Sequence, residues 1–124
     1  MLYKGAVKDE GYSVYQGIIR ALKDCVGVDS YQTNNNLVLD PTARADSIPG
    51  LIIDADELAC SHGATFGNLD QEQLYYLRSR GIPEDEARRM LVRGFFDEVI
   101  DRIPFENLQD HLHEVIDHKF GSVK

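Results

Sequence analysis

The run Cys60-Ser61-His62-Gly63-Ala64-Thr65 is the seam on which the fold turns. It follows the apolar stretch Leu51-Ile52-Ile53 and comes just before Asp70, where the first convincing helix opens. Upstream, short apolar runs are broken by Gly, Asn and Asp; downstream, the pattern is helical to the end. In an extended segment residues i and i+2 project to the same face. Cys60 and His62 can therefore meet one soft or borderline metal such as iron or zinc. On spacing alone the plainer account weighs more: a buried cysteine acting as a small hydrophobe, and a histidine bonded to backbone. Two ligands do not complete a site, so the rest must come from Cys25, a carboxylate or another subunit.

Before the seam, Ser13–Ile19, Asn36–Leu39 and Leu51–Ile53 are β-prone runs. Lys8-Asp9-Glu10-Gly11, Thr33-Asn34-Asn35-Asn36, Asp40-Pro41 and Ser47-Ile48-Pro49-Gly50 read as corners, because Asn, Asp and Gly tolerate left-handed backbone and Pro fixes φ. The β-prone runs recur about 14 to 19 residues apart, which fits a small meander or coils of a parallel β-helix. An Asn run that stacks its amides between coils leans toward the second.

After the seam the punctuation is clear. Asp70 is a good N-cap with Gln73 as its capping-box partner, and Leu69 and Leu74 have staple spacing. Leu74, Leu77 and Tyr75 are expected to face inward, and Gly81 to stop the helix. A second helix opens at Pro83, with Glu84, Asp85 and Glu86 complementing its dipole. Ala87, Met90, Leu91, Phe95, Val99 and Ile103 form its expected apolar stripe, and Pro104 ends it. Gly94 in mid-helix costs about 1 kcal/mol against Ala, which suggests close approach of another backbone, such as a partner's. A third helix, roughly 105–119, carries Phe105, Leu108, Leu112, Val115, Ile116 and Phe120 on one side. The wide stripes of the last two helices either pack on the strand layer or leave apolar surface for a partner. His111 and His118 share a face, His113 points elsewhere, and most such histidines are solvated.

The whole chain has 124 residues, 43% hydrophobic and 27% charged, with a net charge of −8. That composition is ordinary for a globular protein, and the length predicts one compact unit with room for two layers. No apolar run reaches the ~20 residues of a membrane span, and the first residues lack a secretory core, so a cytoplasmic or organelle-stromal address is expected, the cytoplasm first. The acidic balance excludes a generic nucleic-acid binder. Two cysteines are too few for a disulfide framework. Gly-x-Ser-x-Gly, Gly-x-x-x-x-Gly-Lys-Ser/Thr and Cys-x-x-Cys are absent, so a self-contained enzyme is not expected. A small metallohydrolase using Cys60, His62 and one late histidine is the enzyme-class rival.

Three stretches together resemble the C-terminal part of the SufB/SufD family, scaffold components of SUF iron–sulfur cluster assembly. They are Tyr31–Leu39, Asp54–Thr65, and Leu74–Ile82 followed by the acidic helix start Glu84–Ala87. The resemblance runs from about Gly17 to Phe96. It implies mixed β-then-α architecture: C-terminal coils of a right-handed parallel β-helix over residues 1–67, then a helical ATPase-docking domain over 68–124. It implies pairing with a SufB-type subunit and docking of a SufC-type ABC ATPase, with a homodimer as a further partner to consider and with no nucleic acid or membrane. The family's SufD-type histidine falls on His62, with Cys60 beside it as the second metal candidate. Any iron–sulfur cluster would be transient, at an interface between subunits and not on this chain alone. Two departures favour the SufD type: Gly63 where the SufB type has Glu, and Asn34-Asn35-Asn36 where it has an essential Cys.

Tyr76, Arg78, Arg80, Gly94 and Phe95 are the partner-docking candidates. Family members are several-fold longer, so the chain reads as a C-terminal fragment whose first coil exposes an unpaired edge. The alternative is a plain interaction module without a metal role.

Overall fold

The computed structural model describes residues 1–120; the last four residues of the expected helical domain, 121–124, lie outside the described residues. Five strands precede three helices: β1 Leu2–Val7, β2 Tyr12–Ala21, β3 Asp29–Val38, β4 Arg44–Ile53, β5 Ala59–Gly67, α1 Gln71–Ser79, α2 Glu84–Ile100 and α3 Glu106–Phe120. The chain divides into two compact units, Met1–Gly67 and Asn68–Lys124.

In the first unit successive strands alternate between two sheets. β1, β3 and β5 form one and β2 and β4 the other. Every pair is parallel, with partners about 30 residues apart in sequence: Leu2 with Thr33, Tyr12 with Arg44, Asp29 with Ala59. Such alternation is consistent with β-helix coils. The corners stack as the strands do. The Asp9 N–H donates to the Asp40 carboxylate at 2.6 Å and the Arg44 N–H to the Gly11 carbonyl at 2.9 Å. At the other end the Gly27 N–H donates to the Glu57 carbonyl at 2.7 Å, with Gly27 at φ 72°.

β2 alternates strictly: Tyr12, Val14, Ile18 and Arg20 are exposed, while Ile19 and Ala21 are buried. The inner face of β3 is lined with amides. Gln32, Asn34 and Asn36 are 3, 4 and 6% exposed. Burying an amide is favourable only if it is bonded; the Asn36 amide donates to the Asn34 carbonyl at 2.6 Å, and the Gln32 amide donates to the Tyr15 hydroxyl across the two sheets. Glycines make room for them. A Cβ at Gly5 would meet Asn36 Oδ1 at 2.8 Å, and one at Gly17 would collide with the Gln32 amide and the Tyr15 ring.

These facts correct two corners. Thr33–Asn36 lies within β3, because its amides are satisfied inside the sheet pair and not at a turn. Ser47–Gly50 lies within β4, where Pro49 pairs with Gly17. β4 has one strand neighbour, and on such an edge a missing N–H is tolerated.

In the second unit Asp70 caps α1, accepting from the N–H groups of Glu72 at 2.9 Å and Gln73 at 3.3 Å. The amide that folds back is that of Gln71, onto the Leu69 carbonyl at 3.1 Å. Gly81, at φ 89°, ends α1 in a Schellman motif: its N–H bonds Arg78 and that of Ile82 bonds Leu77. Leu69, Leu74, Ala87, Val92, Ile100 and Phe120 form the core. Tyr75 is 74% and Met90 45% exposed, contrary to expectation, while Val92 is fully buried. For Met90 and Val92 the reason is that α2 packs against both α1 and α3, so its buried residues do not fall on one stripe. Phe96 stacks on Phe120 at 6.1 Å between ring centroids. Polar bridges between α2 and α3 include His113 to Asp97 at 2.9 Å and Arg93 to Asp117 at 3.3 Å.

Candidate functional site

Parallel pairing places His62 beside Gln32 and Cys60 beside Ser30. Neighbours across a ladder share a face, so His62 and Cys60 continue the inner face that carries the buried amides. Their surroundings differ from those of the amides. β5 has β3 on one side only, and the inner face opens out at this end: Leu51 and Ile53 on β4 are 37% and 48% exposed, and Phe66 on β5 is 50% exposed. His62 is exposed, Cys60 is half-buried, and both cysteines are free thiols. No hydrogen bond or ion pair engages the His62 ring among the described residues, so both ring nitrogens are open to a ligand. Cys25 sits in the corner between β2 and β3, its N–H bonded to the Leu22 carbonyl at 3.0 Å.

Imidazole and thiol on one accessible face are a good pair for iron. No group of three His, Cys, Asp or Glu that could hold a metal occurs among the described residues. On the outer face, a Cβ at Gly63 would meet the Tyr31 hydroxyl at 2.8 Å; the glycine lets Tyr31 lie across β5 on the side opposite His62.

The chain matches the family described as SUF system FeS cluster assembly, SufBD core domain, over residues 1–95. It belongs to that family. An iron–sulfur cluster assembly SufBD family protein of Mycobacterium leprae is 41% identical over 96% of this chain and 32% of its own length. The SufD proteins of Escherichia coli and Bacillus subtilis are 40% and 37% identical, over 90% and 96% of this chain and 26% and 27% of their own lengths. The chain thus spans about a third or less of the SufBD relatives it matches.

The five docking candidates of this SufBD chain do not form one patch of like character. Tyr76 is 58% exposed, with the Arg80 guanidinium 5.8 Å from its ring centre. Arg78 is paired with Glu84 at 3.3 Å. Tyr76 also borders an open groove of about 490 Å³ lined by Asp70, Glu72, Gln73, Leu77 and Leu91. Phe95 is half-buried, edge-on to Phe96 at 5.2 Å. Gly94 has open space around it, with nothing within 4 Å of an added Cβ, so no backbone of this chain approaches it among the described residues.

The sequence reading missed how α3 divides. Phe120 is buried, whereas Phe105, Leu108 and Val115 are 62, 41 and 45% exposed. Their spacing carried the signal: 105, 108, 112 and 115 form a seam distinct from the 109, 113, 116 and 120 face that meets α2.

Proposed function

We propose that this chain is a SufD-like scaffold and docking subunit of the SUF iron–sulfur cluster assembly complex, working by presentation and not by catalysis, in the cytoplasm. Its strands are the C-terminal coils of a right-handed parallel β-helix. The helical unit docks a SufC-type ABC ATPase, and the coil end pairs with a SufB-type subunit.

The observation that carries this reading is the position of His62. Its ring is accessible, engages no other group among the described residues, and stands on the last strand of its sheet with Cys60 on the same face. An unpaired strand edge is a template for another chain. A second polypeptide seated there brings the further ligands that His62 and Cys60 alone do not supply, and the cluster, as cargo, is held transiently between the two. Each ligand binds only when deprotonated, so loading weakens as pH falls.

The test is anaerobic reconstitution of the full complex with His62→Ala. Charge-transfer absorbance and cluster delivery to an apo-client should drop while circular dichroism stays unchanged. Wild-type delivery by the variant would remove His62 from the site.

A further inference from the structure

Gln32 carries an amide that the fold has nearly sealed, with only one end of it in use. The side chain is 3% exposed. Its amide N–H donates to the Tyr15 hydroxyl, in space that Gly17 leaves by lacking a Cβ. With the nitrogen held there, the planar amide turns its carbonyl oxygen away from Tyr15. That oxygen accepts no hydrogen bond among the described residues. A polar atom on a side chain this deeply buried calls for a donor.

The strand register points to one. Gln32 pairs with His62, so the two side chains rise on the same face from adjacent strands, about 4.8 Å apart at the backbone. The imidazole is exposed and engages no other group among the described residues, so it is free to turn about its side-chain bonds. An imidazole that ligates through one nitrogen donates the N–H of the other to an oxygen, and that hydrogen bond fixes both its tautomer and its direction.

We propose that Gln32 is a positioning residue for His62: its carbonyl oxygen takes the N–H of one imidazole nitrogen and so leaves the lone pair of the other facing outward. Tyr15 acts one step further back, by holding the amide the right way round. The proposal rests on the reading of His62 as a ligand to the cluster in transit, and it adds how the chain aims that ligand. A neutral amide does this without bringing a further charge to the face.

The test reads the ring directly. Long-range proton–nitrogen NMR of the chain, with isotope-labelled histidine and above about pH 8 where an ordinary imidazole is neutral, gives the tautomer ratio of each ring. His62→Gln assigns the His62 signals. In the wild-type chain His62 should be held in one tautomer. Gln32→Met removes both polar atoms and should move the ratio about threefold or more toward that of free imidazole, with His111, His113 and His118 unmoved. Gln32→Glu keeps an acceptor oxygen and loses the donor, and should retain the wild-type tautomer. If circular dichroism shows either variant misfolded, Tyr15→Phe is the second arm; it frees the amide and should shift the ratio the same way by a smaller factor. In the full complex, Gln32→Met should need about tenfold or more ferrous iron and sulfide to reach half of the charge-transfer absorbance. An unchanged ratio in Gln32→Met, or an equal shift in Gln32→Glu, overturns the positioning role. A ratio that responds as expected, together with wild-type cluster delivery by His62→Ala, would remove the ligand reading and the purpose of the positioning with it.

Discussion

Replacing Tyr15 by Phe removes one oxygen and leaves the ring, including its 5.0 Å contact with Tyr3. That oxygen is the acceptor for the Gln32 amide, on a side chain only 3% exposed. A buried donor stripped of its partner costs about 1–3 kcal/mol, whereas removing both polar partners together is nearly neutral. Opening of β2 and β3 should therefore become about 5- to 150-fold more frequent in Tyr15→Phe. Hydrogen exchange read by mass spectrometry can localise this. Peptides covering β2 and β3 should exchange faster by that factor, while peptides from α1 to α3 keep their wild-type rates. The double variant Tyr15→Phe with Gln32→Leu should recover most of the lost protection. Unchanged exchange in the single variant would show that the amide column does not depend on this bond. A double variant worse than the single one would refute the satisfaction argument in another way, by making packing the dominant effect.

Two glycines test how tightly the strands are packed. Gly17→Ala should destabilise the strand unit by about 1–3 kcal/mol, since its methyl meets a buried amide and ring. Gly63→Ala should cost under about 0.5 kcal/mol, because Tyr31 is 53% exposed and swings aside; equal melting shifts for the two would contradict this. The Tyr12 hydroxyl donates to Asp46 at 2.6 Å, and that hydrogen bond first of all raises its pKa above the ordinary 10.0. The same bond, with Arg44, lowers Asp46 below 3.8. The Asp46 contribution to stability is therefore present above pH 3.8 and lost as pH falls through its folded pKa; that of Tyr12 is present below pH 10.0 and lost as pH rises through its own. Ultraviolet titration of Asp46→Asn should show one tyrosine moving to lower pKa, and an unchanged curve would dismiss the bond.

Much of this was legible in the residues. The Asp70 cap, the Gly81 stop and the acidic opening of α2 depend on local geometry, which sequence records directly. The motif set that includes Cys60-Ser61-His62-Gly63 was specific enough to point to the SufBD family. The Asn34-Asn35-Asn36 run was misread because amides usually mark turns; their burial depends on glycines and a tyrosine more than ten residues away. Ser47–Gly50 misled for the same reason, since only the edge position of β4 makes Pro49 acceptable there. The burial pattern of α2 was misjudged because one stripe was sought where two neighbouring helices impose two.

The amide column has a consequence for how the coils are indexed. A slip of β3 by one residue would turn Gln32, Asn34 and Asn36 outward and push Thr33 and Asn35 into the interior, where neither Gly5 nor Gly17 would face the side chain it accommodates. Misalignment is thus penalised at several points at once. The column works as a ratchet tooth, fixing the strand on which β5 is laid and, with it, the side on which His62 emerges.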